Sequence, residues 1–296
     1  DYNAIDIRES LKIRKPYGLK YEIFYYRPCR NVDAFRNDYA ATKFLSKCKN
    51  LPTSYNLELN ALTSEVSGEK QCSYTNRRIT QSRLLRKKYG FAFNPITERA
   101  LPIIRAYIKT ILGSCPSLDE IATSVRFGPG ASSATVGFDT TTVAKINSKL
   151  HVSSLAQDDL AYVVQLRPML SGLPIVSSTL SWTDINSLMY RLDHSTWTTA
   201  PKNAKTARGI STQIHGNMLG QLALGSIIRD RCRNARRDLR FDLDNLASVH
   251  QYFAYIGSID GSYTTKDVTN ASSTIAREVV WELFPRGWAI LLDRWR

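Results

Sequence analysis

A chain of 296 residues with 43% hydrophobic content can build a substantial core, in one large or two ordinary domains, which excludes a disordered tail. Its 40 Lys and Arg against 26 Asp and Glu leave a formal charge of +14, so the expected partner is a polyanion (RNA, DNA or an acidic membrane) held by a salt-sensitive attraction. The five cysteines, at 29, 48, 72, 115 and 232, form no Cys-x-x-Cys pair, so neither a disulfide framework nor a zinc site is indicated and a reducing cytosol is the expected setting.

No signal peptide is legible, and the long uncharged run from Gly209 to Ile228 carries Gln213, His215, Asn217 and Gln221, too polar for a lipid span. A soluble protein is expected. The opening at Asp and the stop in a helix-like Leu-Leu-Asp-Arg-Trp-Arg predict a piece of something longer.

Along the first 30 residues only Tyr21–Tyr26 suggests a short strand. From Asn31 a helix is expected, capped by Asn31 or Asp33, with Phe35 and Tyr39 on one face and Phe44 and Leu45 two turns on. A second helix is expected from Ser54 to Glu65. Between Lys70 and Thr97 there is no acidic residue, while Arg77, Arg78, Arg83, Arg86, Lys87 and Lys88 are present, giving either a solvated basic helix face or a track for an RNA backbone. Leu101, Ile104, Ile108, Ile111 and Leu112 then repeat at helical spacing and stop at Gly113, which predicts a core-facing helix with a glycine just past its end.

A short helix begins near Pro116 and leads to Arg126-Phe-Gly-Pro-Gly-Ala-Ser-Ser133. Gly128 and Gly130 let backbone amides approach an anion and the serine hydroxyls can donate to phosphate, although the same residues also suit a plain tight turn. Ala134 to Ser154 reads as loop. Asp158-Asp159 reads as the acidic first turn of a helix, and the histidines at 151, 194, 215 and 250 show no ligand spacing.

Ser195 to Ala200 reads as a strand ended by Pro201, which has no N–H to donate. Lys202, Lys205 and Arg208 follow at three-residue spacing, two point charges and one planar fork suited to phosphate oxygens. Met218, Leu219, Leu222, Ile227 and Ile228 predict an apolar helix face whose far end carries Arg229, Arg231, Arg233, Arg236, Arg237 and Arg240, more cations than a helix dipole asks for and suited to RNA phosphates. A Tyr263-Thr-Thr strand should deliver Asp267 to its end, where a hard carboxylate can meet magnesium. Ser272 or Ser273 should cap a helix running through Phe284, ended by Pro285.

Residues 201 to 210, Asn217-Met218, Gln221-Leu222, Ile228-Arg-Asp-Arg231, Asp267 and Pro285-Arg-Gly-Trp288, with Arg126 to Ser132 upstream, resemble in order and spacing the RNA replicase catalytic subunit of single-stranded RNA bacteriophages, the leviviruses. The resemblance runs from about residue 30 onward. It implies a helix-rich α+β fold shaped as a right-hand polymerase with an incomplete palm: an N-terminal helical fingers region over 1–125, fingers with a basic nucleotide clamp over 126–255, and the start of the palm over 256–296. It further implies that Lys202, Lys205 and Arg208 hold the incoming triphosphate, that Ser273 lies at the ribose, and that Asp267 binds magnesium, or manganese in its place. Template RNA and nucleoside triphosphates are the implied ligands, host elongation factors Tu and Ts and the remainder of the palm the implied partners, and the cytoplasm of an infected bacterium the implied setting, with no membrane role.

The chain departs from the family at Ala207, where an Asp precedes the clamp arginine, and at Ser273, where a second Asp stands. It also stops before the Tyr-Gly-Asp-Asp hairpin that supplies the other metal ligands. An RNA-directed RNA polymerase part that is inactive alone is therefore expected. A non-catalytic RNA-binding derivative and one subunit of a split polymerase are the alternatives.

Overall fold

The computed structural model describes residues 54–91, 93–137, 139–171, 181–204, 206–236, 241–266 and 271–296, with the separate positions 33, 36, 37, 39, 40, 44, 47 and 48. The strand suggested at Tyr21–Tyr26 lies outside these residues. Of the helix expected from Asn31, positions 33, 36, 37, 39, 40, 44 and 47 are helical, and Tyr39 and Phe44 on it are exposed. Among the described residues the fold is helix-rich with two small two-stranded sheets. Among the described residues no helix is long and apolar enough to cross a membrane.

Two compact units are present, one of residues 1–70 with 197–211 and one of 71–196 with 212–296. Helix α1, Leu57–Tyr89, starts in the first and finishes in the second. It runs well past the end expected near Glu65, because no proline interrupts residues 53 to 94 and a single internal glycine costs only about 1 kcal/mol. It stops where Gly90 takes a positive φ of 80°, a conformation that favours glycine.

In the first unit, strands β3 (Thr196–Pro201) and β4 (Ala207–Thr212) pair with each other. The connection is too short for a parallel crossover, so the pair is a hairpin. Its turn is closed by Asn203, whose amide donates to the Thr206 carbonyl at 3.2 Å and whose side-chain oxygen accepts from the Thr206 amide at 3.0 Å. The indole of Trp197 lies against Gly209, where a Cβ would fall 2.9 Å from Trp197 Nε1.

The second unit is built around α7, His215–Asn234, which packs against α2 (Pro95–Leu112), α3 (Leu118–Ser124), strand β1 (Leu150–Val152) and α5 (Gln157–Leu166). Ile121, Leu150, Val152, Leu160, Val163, Val164, Ile185, Leu219 and Leu224 form its core with Trp288 and Trp295. The stretch expected to be loop between Ala134 and Ser154 instead contributes α4 (Thr142–Ile146) and the buried β1, because Leu150 and Val152 alternate inward. Strand β1 pairs in parallel with β2 (Met189–Arg191), which follows α6 (Trp182–Leu188).

Helix α2 is capped as its sequence requires: Asn94 Oδ1 accepts from the Thr97 amide at 2.8 Å, and Gly113 at its end has φ 61°. The apolar stripe expected to be core on this helix is only partly so. Leu112 is buried, but Ile104 is 42% exposed: α2 packs on α7 and, through Arg105, on the helix that carries Glu282, and Ile104 faces neither.

Two further expectations are corrected near the end of the chain. Residues 262 to 266 carry no regular structure, so the strand expected from Tyr263 is not formed among the described residues; β-propensity alone makes no ladder without a neighbouring strand. The helix expected through Phe284 is divided. A 3-10 turn at Ser272–Thr274 precedes an extended Ile275, then α9 (Arg277–Leu283) and α10 (Arg286–Arg294) follow, with Pro285 starting the second rather than only ending the first. Helix α8 (Leu246–Asp260) leaves no residue buried and ends at Gly261 in the left-handed conformation.

Candidate nucleotide and nucleic-acid interface

The hairpin presents its cations at the turn. Lys202 follows the end of β3 and Arg208 is the second residue of β4; both are exposed and neither forms an ion pair among the described residues. Lys205, between them, lies outside the described residues. Ala207 is buried, so a carboxylate there would be desolvated unless it were paired.

The Arg126–Ser133 loop is held from beneath by side chains on three elements. The buried ammonium of Lys145 donates to the Gly128 carbonyl, and burial lowers the Lys145 pKa. Ser132 Oγ lies 2.8 Å from His215 Nδ1, and His215 Nε2 lies 3.0 Å from the Lys145 carbonyl. Ser133 Oγ accepts from the His215 amide at 3.0 Å and meets His151 Nδ1 at 2.8 Å. Phe127 stacks on the His215 ring with centroids 5.1 Å apart. A Cβ on Gly128 would sit 3.0 Å from Leu222, and Gly130 has φ 86°, so each glycine has a steric reason. Arg126 is exposed at the start of the loop.

Sequence spacing gave no hint of this histidine pair, because His151 and His215 meet only through Ser133 once β1 lies beside α7. Burial depresses the His215 pKa to about 4, the Lys145 carbonyl resists that shift, and the charges of His151 and Lys145 reinforce it. Burial, then Lys149, also lowers the His151 pKa. Unfolding therefore takes up protons below the free-imidazole value, and stability should fall as pH drops from 6.5 to 4 by up to about 3 kcal/mol. Urea denaturation across that range should show the loss in the native chain and a smaller one in His215→Gln.

The arginines at the end of α7 are unequal. Arg231 is committed to the fold: it donates to the Leu112 and Ser114 carbonyls, contacts both Glu120 oxygens at 3.0 and 3.2 Å, and lies over the Trp288 ring at 4.9 Å. Arg233 contacts Asp244 at 2.5 Å, Asp230 at 3.3 Å and Asp242 at 3.8 Å, and Arg229 contacts Asp244 at 3.5 Å. These pairs are exposed and weak, so a phosphate can compete for them. Arg236 is exposed beyond the helix end. Arg237 lies outside the described residues.

Asp267, the expected metal carboxylate, also lies outside them. Ser273 is half-buried, and its carbonyl accepts a weak bond from Cys72 Sγ at 3.4 Å. Asp158 and Asp159 occupy the first turn of α5 as expected, and Asp159 is buried against Arg294 at 3.0 Å. Among the described residues no group of three or more His, Cys, Asp or Glu is placed to hold a metal ion.

A family model described as "RNA replicase, beta-chain" matches residues 13–296. The "RNA-directed RNA polymerase subunit beta" of Qbeta virus (strain MX1) is 29% identical over 258 residues, which is 86% of this chain and 40% of that protein. The protein of the same name from Enterobacteria phage SP is 27% identical over 263 residues, 89% of this chain and 42% of its own length. The "RNA-directed RNA polymerase beta chain" of Escherichia phage MS2 is 37% identical over a shorter segment of 98 residues. The chain spans about two fifths of the length of the Qbeta and SP proteins.

Proposed function

The chain belongs to the RNA replicase beta-chain family, and from that membership we propose that it forms the fingers and the start of the palm of a phage RNA-directed RNA polymerase, at work in the cytoplasm of an infected bacterium. The observation that carries the nucleotide side of this reading is the β3–β4 hairpin, where Lys202 and Arg208 are exposed without an ion pair among the described residues. Together with Lys205 they suit a triphosphate, the lysines as point charges and the arginine as a fork. Arg126, Gly128 and Gly130 on the braced loop, and Arg229, Arg233, Arg236 and Arg237 near the end of α7, would contact template RNA. Arg231 is left out, being used within the fold.

Magnesium, or manganese, would supply charge neutralisation when bound, with Asp267 as the one carboxylate assigned to it and Ser273 near the ribose. The described residues do not complete a metal site, so no step is derived through the ion. The remaining ligands would come from the rest of the palm, and elongation factors Tu and Ts are the proposed host partners.

A fluorescent nucleoside triphosphate titrated into the 296-residue chain should bind about tenfold more weakly to Lys202→Ala and to Arg208→Ala, as expected for loss of a charged hydrogen bond. Unchanged affinity in both would remove the hairpin from the nucleotide site. A second reading, a non-catalytic RNA-binding derivative, is favoured by the buried Ala207 and by Ser273. Both readings expect no primer extension by this chain alone; they part when the rest of the palm is added, which should restore extension only to a polymerase.

A further inference from the structure

From Gln71 onward α1 has two faces of different character. One carries Asn76, Ile79, Ser82, Arg83 and Arg86, all buried or half-buried. Its arginines are neutralised: Arg83 pairs with Glu278 and Glu282, and Arg86 with Glu282 and Glu98. Arg77, Arg78, Lys87 and Lys88 lie on the remainder of the helix, all exposed, and form no ion pair among the described residues. Arg77 bonds only weakly to Ser73 within its own helix, at 3.4 Å. Since residues 71 to 97 contain no acid at all, the helix cannot offset these charges with the usual partners three or four positions away.

Aromatic rings sit among the free cations. Tyr74 is 60% exposed and Tyr89 56%; Arg78 lies over the first ring at 5.6 Å and Lys88 over the second at 4.9 Å. Tyr74, Arg78, Gln81, Leu85 and Lys88 follow one another at spacings of four and three, so they share a side of the helix. The rise from Arg77 to Lys88 is ~16 Å, room for successive backbone phosphates. Cations that track a backbone beside exposed rings that accept bases are the two components of a single-strand binding surface.

We infer that this face of α1 binds single-stranded RNA, its phosphates held by Arg77, Arg78 and Lys88 and its bases stacked on Tyr74 and Tyr89; Lys87, nine residues from Arg78, points to the other side of the helix and takes no part. The inference rests on the polymerase reading for the identity of the polyanion, and it adds residues of α1 that the reading above does not use.

The test is fluorescence anisotropy of a labelled single-stranded RNA of ~20 nucleotides, longer than one such site, titrated with the chain at several salt concentrations. Replacing Arg77, Arg78 and Lys88 together by Ala should weaken binding at least tenfold at low salt and lower the slope of log affinity against log salt by up to about 2. A charge-matched trio at Arg99, Lys149 and Arg286, also exposed, should do markedly less. Tyr74→Ala with Tyr89→Ala should weaken binding about fivefold or more with little change in slope. Unaltered helical circular dichroism keeps a folding defect from imitating these losses. Equal losses from the two trios, or none from the face trio, would overturn the inference. The second result would leave the face to a protein or an anionic lipid surface while the polymerase reading stands. A native chain that binds no RNA at any salt would remove both.

Discussion

Glu282→Ala should destabilise the second unit by about 3 kcal/mol, measured by urea denaturation at neutral pH. The Glu282 carboxylate is buried on α9 and is the shared partner of Arg83 and Arg86 from α1 and of Arg105 from α2. Arg105 also donates to the Glu282 carbonyl at 2.6 Å, and Asn76 accepts from the Glu278 amide at 2.9 Å. Removing the acid leaves Arg83 with Glu278 and Arg86 with Glu98, and takes from Arg105 the acid it meets. Breaking a buried pair costs about 3–5 kcal/mol, and the lower end applies because the arginine side chains remain between 28% and 39% exposed and can recruit water. Burial pushes the Glu282 pKa up, but hydrogen bonds from Arg83 and Arg86 and the charge of Arg105 outweigh it and hold the pKa below the ordinary value. Its contribution is therefore present above the unfolded-state pKa near 4.5 and is lost as pH falls below that. Glu282→Gln should flatten stability in this acid range, which lies below most of the His215 window.

Trp295→Ala should cost about 4 kcal/mol, in the range for deleting a buried aromatic ring. The ring is 1% exposed and closes the core over α7. A Cβ built on Gly220 would fall on its indole, 2.6 Å from Cε2 and closer still to Cδ2 and Cε3. Gly220→Ala should therefore destabilise by about 2 kcal/mol, an overpacking cost that exceeds the gain of about 1 kcal/mol from replacing a helical glycine. In the Trp295→Ala background the clash is gone, and the same substitution should become neutral or stabilising. Such a reversal across the double-mutant cycle isolates the contact; additive effects would mean that Gly220 is not shaped by the ring. Trp295 Nε1 is buried with no hydrogen-bond partner among the described residues, so Trp295→Phe, which removes that donor, should cost far less than the alanine variant.

These contacts explain what was legible in the sequence. Helix α7 could be read from Met218, Leu219, Leu222, Ile227 and Ile228 because an apolar period is a local signal, and the end of α2 from Gly113 because the cap is local too. The hairpin was visible in its first strand, where a threonine-rich run meets Pro201. Glu282 carries no such local signal, since the partners that explain its burial lie far away; Arg83 is 199 positions from it. For the same reason the basic run from Arg77 to Lys88 looked uniform, although Arg83 and Arg86 are fold contacts and their neighbours are not. Arg231 looked like its neighbouring arginines until Trp288 and Glu120 were brought to it. Tyr263-Thr-Thr read as a strand because propensity says nothing about whether another strand is at hand.

Strands β1 and β2 run in the same direction, Leu150 opposite Met189 and Val152 opposite Arg191, and the ladder continues from the Leu192 amide to the Val152 carbonyl at 2.9 Å. Neighbours of that kind cannot zip up from a tight turn; residues 153 to 188 have to cross over first. The ladder beside α7 is consequently a long-range pairing, whose loop-closure cost has to be met before its hydrogen bonds reward it, and it slows folding relative to a hairpin of the same length.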